Sequence, residues 1–142
     1  MTERTAAAPT LVSLLICDQV IDDRLTNKKS AIGLFNTITT HSIPARLPQV
    51  TIMATLTEVR GRTPLELRLV RDSDNEVVMQ TSGYVDSPDP LAIVDLVFGL
   101  QGIKLPEAGQ YAFELLSGGA LLGRRRFQLL LTGPDAARPK AE

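Results

Sequence analysis

The sequence predicts an all-β domain, an antiparallel β-sandwich of about eight strands with no disulfide. Three observations carry that expectation. The 142-residue chain runs as short apolar stretches broken by turn residues, the pattern of sandwiches and barrels. Several stretches alternate with period two, as strands with one buried face do. The chain has one cysteine, Cys17, so no intrachain bridge can form.

The elements follow in order. Residues 1–9 have no period and read as a flexible N-terminus before a domain over 10–132. Leu11–Val20 and Ala31–Thr40 read as a hairpin around the polar stretch Asp22–Ser30. In the next strand Val50, Ile52, Ala54 and Leu56 interleave with Thr51, Met53, Thr55 and Thr57. Leu65, Leu67 and Leu69 then share one face, which helical spacing would not allow. Asp72-Ser73-Asp74-Asn75 is a turn leading into a strand over Val77–Val85. Leu91–Leu100 admits two readings. Asp89-Pro90 is a helix-start signal, whereas Ile93, Val94, Val97 and Phe98 favour a strand, and the strand is preferred.

The last hairpin is the most legible. Tyr111, Phe113 and Leu115 alternate with Ala112, Glu114 and Leu116, Gly118-Gly119 supplies positive φ, and Phe127, Leu129 and Leu131 return. A three-residue loop Gly118–Ala120 sets Tyr111 opposite Phe127 and Glu114 opposite Arg124, keeping apolar with apolar and joining opposite charges. That register puts Arg125 on the apolar face, from which a bulge or a reach to the rim must release it. Residues 133–142 read as a flexible C-terminal tail.

Composition excludes more than it identifies. At 44% hydrophobic and 22% charged the chain is ordinary for a globular domain. A net charge of −1 gives no basic field for nucleic acid or anionic lipid, and 4% aromatics with no Trp make a poor base-stacking platform. No stretch reaches the ~20 apolar residues a membrane helix needs. Leu11–Cys17 is apolar, but Glu3 and Arg4 before it and bulky Ile16 beside Cys17 read as a strand rather than a leader. The expected location is cytoplasmic, with no membrane and no nucleic-acid partner.

The segment Glu107-Ala108-Gly109-Gln110-Tyr111-Ala112-Phe113 resembles the tyrosine corner of immunoglobulin-like domains, in which a Tyr hydroxyl bonds back to nearby backbone. The resemblance implies an immunoglobulin-like sandwich, with Tyr111 and Gly109 structural. Phe113 stands where an antibody domain carries its second Cys, and the buried Trp is missing, so an antibody-type domain is excluded. Ile16–Asp22, Thr26–Asn36, Pro88–Leu91 and Pro106–Tyr111 together look like a bacterial family of small uncharacterised proteins, over about residues 12–131. That resemblance implies a single domain and no particular chemistry.

Candidate chemistry is sparse. His41 is the lone histidine and has no nameable partner for acid–base work. Cys17 lies inside an apolar strand, where a thiol is structural and inert. No nucleophile elbow, phosphate loop or zinc motif occurs, and no cofactor is expected. The expected function is a non-enzymatic interaction or structural module, with a protein partner or a second copy as its ligand. Leu91, Ile93 and Val97 carry this reading: if Ala92, Val94, Leu96, Phe98 and Leu100 face the core, these three share the opposite face with Asp95. Arg124 and Arg126 offer a second patch beside Glu114. The competing reading is a small-molecule or calcium-type site in the loops Asp18–Lys29 and Asp72–Glu76, whose carboxylates are also ordinary turn formers.

Overall fold

A computed structural model describes residues 7–133. Residues 1–6 and 134–142, most of the two expected flexible ends, lie outside the described residues. The remainder of the N-terminal segment is not all loose, since Pro9 is buried.

The described chain is all-β and carries ten strands rather than eight. They are β1 (Thr10–Cys17), β2 (Gln19–Asp23), β3 (Lys28–Ile32), β4 (Thr37–Thr40) and β5 (Ala45–Thr57), then β6 (Thr63–Arg71), β7 (Glu76–Val85), β8 (Val94–Leu105), β9 (Gly109–Ser117) and β10 (Ala120–Leu131). One sheet has the order β1-β5-β8 and the other β4-β10-β9-β6-β7, while β2 and β3 form a separate hairpin. The two large sheets face each other across one core. Ile16, Ile52 and Leu56 of the smaller sheet and Leu67, Leu69, Phe113, Leu115 and Leu129 of the larger belong to a single buried cluster. Burying each such side chain contributes about 1.5–3 kcal/mol. Phe127 stacks between Tyr111 and Phe113, with ring centroids 5.7 and 5.5 Å away.

The expected pairing of Leu11–Val20 with Ala31–Thr40 is corrected. β1 ends at Cys17 and pairs with β5, and the hairpin is the shorter Gln19–Asp23 with Lys28–Ile32. The break is local: the Asp18 amide donates to the carbonyls of Ile32 and Gly33 at 3.0 and 3.1 Å. Gly33 turns there with φ 75°, and a Cβ on it would collide with the Asp18 carboxylate. The chain then crosses to the other sheet, where Thr37–Thr40 runs parallel to Gln128–Leu131, an exception to the expected antiparallel order.

The late elements shift less. The strand expected over Leu91–Leu100 is Val94–Leu105, and no helix forms. Asp89 is a turn residue: its carboxylate accepts from the Leu91 amide at 2.9 Å and its carbonyl from the Ala92 amide at 3.0 Å. In the last hairpin Tyr111 pairs with Phe127 and Glu114 with Arg124, but the loop is Gly118-Gly119 alone. Leu122 is an extra residue between Leu121 and Gly123, and this bulge shifts a two-residue loop into the three-residue register.

Candidate functional site

The smaller sheet has two edges, β1 and β8, and the residues across the gap to the larger sheet treat them differently. Along β1, the Phe35 amide donates to the Ile16 carbonyl at 3.2 Å and Arg125 reaches the Leu14 carbonyl at 3.5 Å. The same guanidinium donates to Asn36 Oδ1 at 3.2 Å, which is how Arg125 leaves the apolar face. Leu11, Phe35, Ile38 and Leu122 fill the space behind.

Along β8 nothing comparable occurs. Among the described residues, no backbone or side-chain group outside the β5 ladder bonds to the backbone of Val94–Leu105. Opposite lies β7, the edge of the larger sheet, and its positions paired with Leu65 and Leu67 are Gly83 and Thr81. These small side chains do not close the gap, so Val94, Leu96, Phe98 and Leu100 pack on the core yet stay half-buried. A recess of about 160 Å³ opens between Leu65, Thr81, Gly83, Tyr84, Leu96 and Phe98. A wider one of about 630 Å³ lies further along, lined by Val77, Val78, Lys104 and Pro106. The opening thus follows both strands, and neither carries a proline or a central charge to discourage pairing.

The sequence-derived candidates distribute as follows. Val97 is in β8 and 44% exposed, whereas Leu91 and Ile93 stand in the turn before it at 82% and 63%. Across the outer face, Val97, Met53 and Leu15 form one row in register. Arg124 is not a free basic patch: it pairs with the buried Glu114 and lies 3.9 Å from Asp72. Arg126 is exposed on the same strand. Tyr111 is fully buried; its hydroxyl donates to the Glu107 carbonyl at 2.6 Å and accepts from the Glu107 amide at 3.2 Å. Gly109 precedes it with φ 137°.

Cys17 is buried beneath the turn into β2, with Sγ 3.5 and 3.6 Å from the Gln19 and Thr51 carbonyls. Burial, with the Asp18 charge adding to it, pushes its thiol above the usual range. His41 is exposed and touches Thr132.

The acidic loops do not gather. Asp74, Glu76 and Glu107 converge on Arg71, and hydrogen bonding from that guanidinium holds the Asp74 carboxyl below its usual range. Asp22 pairs with Lys29 at 2.7 Å. Among the described residues no three His, Cys, Asp or Glu side chains form a group that could hold a metal ion.

Sequence reasoning missed Tyr84, which is 64% exposed at the mouth of the opening with Arg62 stacked 3.9 Å over its ring. The available signal was its place in an edge strand next to Gly83. Comparison with known families supports the second resemblance in its extent and in its lack of an assigned activity. A model described as a family of unknown function (DUF6941) matches residues 12–130. The chain belongs to that family. A search of curated proteins returns no match. The match covers β2 to β9 whole and all but the ends of β1 and β10, so both edges of the opening are family territory.

Proposed function

We propose that the domain is a bacterial, cytoplasmic, immunoglobulin-like sandwich that works as a non-enzymatic interaction module, taking an extended protein strand on the open side between β7 and β8. The observation that carries this reading is the free backbone edge of β8 beside a core-facing row that its own domain leaves half-covered. Strand addition satisfies both at once: the ladder supplies affinity, and alternate side chains of the ligand fill the recess. The tyrosine corner at Tyr111 supports the immunoglobulin-like assignment. Net charge of −1 and the absence, among the described residues, of a helix long and apolar enough to cross a membrane fit a protein ligand better than nucleic acid or lipid.

The test is selection of random peptides displayed against the domain, followed by hydrogen exchange of the bound form. Enriched peptides are expected to be extended, apolar at alternate positions, and to slow exchange in Val94–Leu105. No enrichment, or protection confined to other strands, overturns the reading.

A further inference from the structure

β8 has a charge pattern that is complementary to itself. Its two charged residues are Asp95 near the start and Lys104 near the end, and both are exposed. Arg46 lies directly opposite Lys104 in the ladder and is also exposed, so one end of this face is doubly cationic. Like charges directly opposite in a sheet are destabilising. Among the described residues neither cation has an acidic partner. Asp95, at the other end, accepts from the Thr55 hydroxyl at 2.6 Å and among the described residues forms no ion pair, Lys29 acting on it only at longer range.

We infer that the strand taken by β8 is the β8 of a second copy, antiparallel and related by a two-fold axis at Gly99; this rests on the strand-addition reading above. Directly opposite residues then sum to a constant, and Gly99 meets Gly99 with no side chain to collide where the copies cross. Phe98 faces the second copy's Leu100, both core-facing, and Val97 faces its Gln101, both on the outer face. The Phe98–Leu100 contact forms twice, once on each side of the axis, while Leu96 falls opposite Gly102.

The second copy's Ile103 falls opposite Asp95, and its Lys104 follows one residue along. Faces change near Gly102, where φ is 65°: Phe98 and Leu100 turn inward before it, Ile103 and Leu105 after it. Lys104 therefore shares the outer face with Asp95. Each acidic end thereby meets the other copy's Arg46–Lys104 end, twice per dimer. An axis at Leu100 also keeps Lys104 one residue from Asp95, but it sets Phe98 against Gly102 and loses the Phe98–Leu100 contact. An axis at Asp95 sets two carboxylates against each other, and one at Val97 sets Asp95 against glycine. The product is a closed, isologous dimer with a continuous six-stranded sheet.

Light scattering on a size-exclusion column at micromolar concentration is expected to return twice the chain mass. Asp95→Lys and Lys104→Asp, each alone, weaken dimerisation at least about tenfold, since two attractive pairs become repulsive. Combined in one chain they restore it, which a variant that merely unfolds could not do. Chains carrying Val97→Cys and Gln101→Cys, mixed and oxidised, cross-link to each other. Val97→Cys alone does not, because its two copies would stand roughly 13 Å apart. A wild-type monomer, single variants that still dimerise, or cross-linking by Val97→Cys alone each overturns the dimer. A monomer whose β8 still binds the selected peptides leaves strand addition standing with another partner, while a monomer that binds none removes both.

Discussion

Ile16 and Phe98 flank Ile52 in one row of the smaller sheet, one on each edge strand, and both turn toward the core. Ile16 is fully buried and Phe98 only half-buried, although Phe98 is the larger side chain. The strands themselves do not explain this, because both are apolar and free of proline. The difference lies in what spans the gap. On the β1 side the link Gly33–Asn36 and Arg125 supply donors to the strand's carbonyls and Phe35 and Ile38 supply bulk. On the β8 side the facing strand offers Thr81 and Gly83. An edge strand is thus finished by its neighbours, and one left unfinished is a surface for another chain.

The comparison is broken or upheld first by truncation. Ile16→Ala removes a side chain with no solvent contact and is expected to cost about 2–5 kcal/mol. Phe98→Ala removes more atoms but from a half-wet site, and is expected to cost about 1–2 kcal/mol in the monomer, in proportion to the area it hides. Urea melts of both variants below the concentration of association decide the matter. Equal costs, or a larger one for Phe98, would mean the β8 side is as closed as the β1 side.

A smaller effect sharpens the same contrast. The C-terminal end of β8 is tied down by the corner in which the Tyr111 hydroxyl holds the Glu107 backbone. Tyr111→Phe keeps the ring and its stacking on Phe127 but leaves both backbone groups without that partner, a loss of about 1–3 kcal/mol. Local opening is expected to follow, so amide exchange in β8 should rise well above that in β1, whose own links are untouched. Uniform acceleration over both strands would show the corner to be a global support with no bias toward the open side.

How much of this was legible differs with the range of the interaction. Alternation marks β5, β6 and β9 because the core face of each is written in its own residues, as in Val50 to Leu56. The register of β9 on β10 could be found by matching Tyr111 with Phe127 and Glu114 with Arg124, although the bulge at Leu122 hid the true loop length. The partner of β1 could not be found, since Leu11–Cys17 is apolar on both faces and the break at Asp18 depends on a contact with Gly33 fifteen residues away. The far end of β8 was hard to see, since Gly99 and Gly102 carry no side chains and the core-facing positions change parity between Leu100 and Ile103. The outer-face position of Val97 beside Asp95 was foreseen, whereas Leu91 and Ile93, expected on the same strand face, stand in the turn before it. The open side was not foreseen, because it depends on Thr81 and Gly83 of a strand in the other sheet.

The smallest expected change tests whether the open side is a surface at all. Ile93 is 63% exposed in the turn before β8, and that turn is held by the Asp89 carboxylate and carbonyl, which accept from the Leu91 and Ala92 amides and which a substitution at 93 does not touch. Ile93→Lys should therefore leave the monomer's stability within about 0.5 kcal/mol, as for an ordinary surface position. The same substitution removes apolar area beside the free edge and adds a cation there, so weakened self-association is expected on the light-scattering column. The two readouts are independent, and their pattern discriminates. Unchanged melting with weaker association places Ile93 on a working surface. A melt lowered by several kcal/mol would instead make Ile93 part of the packed core, and the contrast between the two edges would then fail at the residue where exposure is easiest to measure.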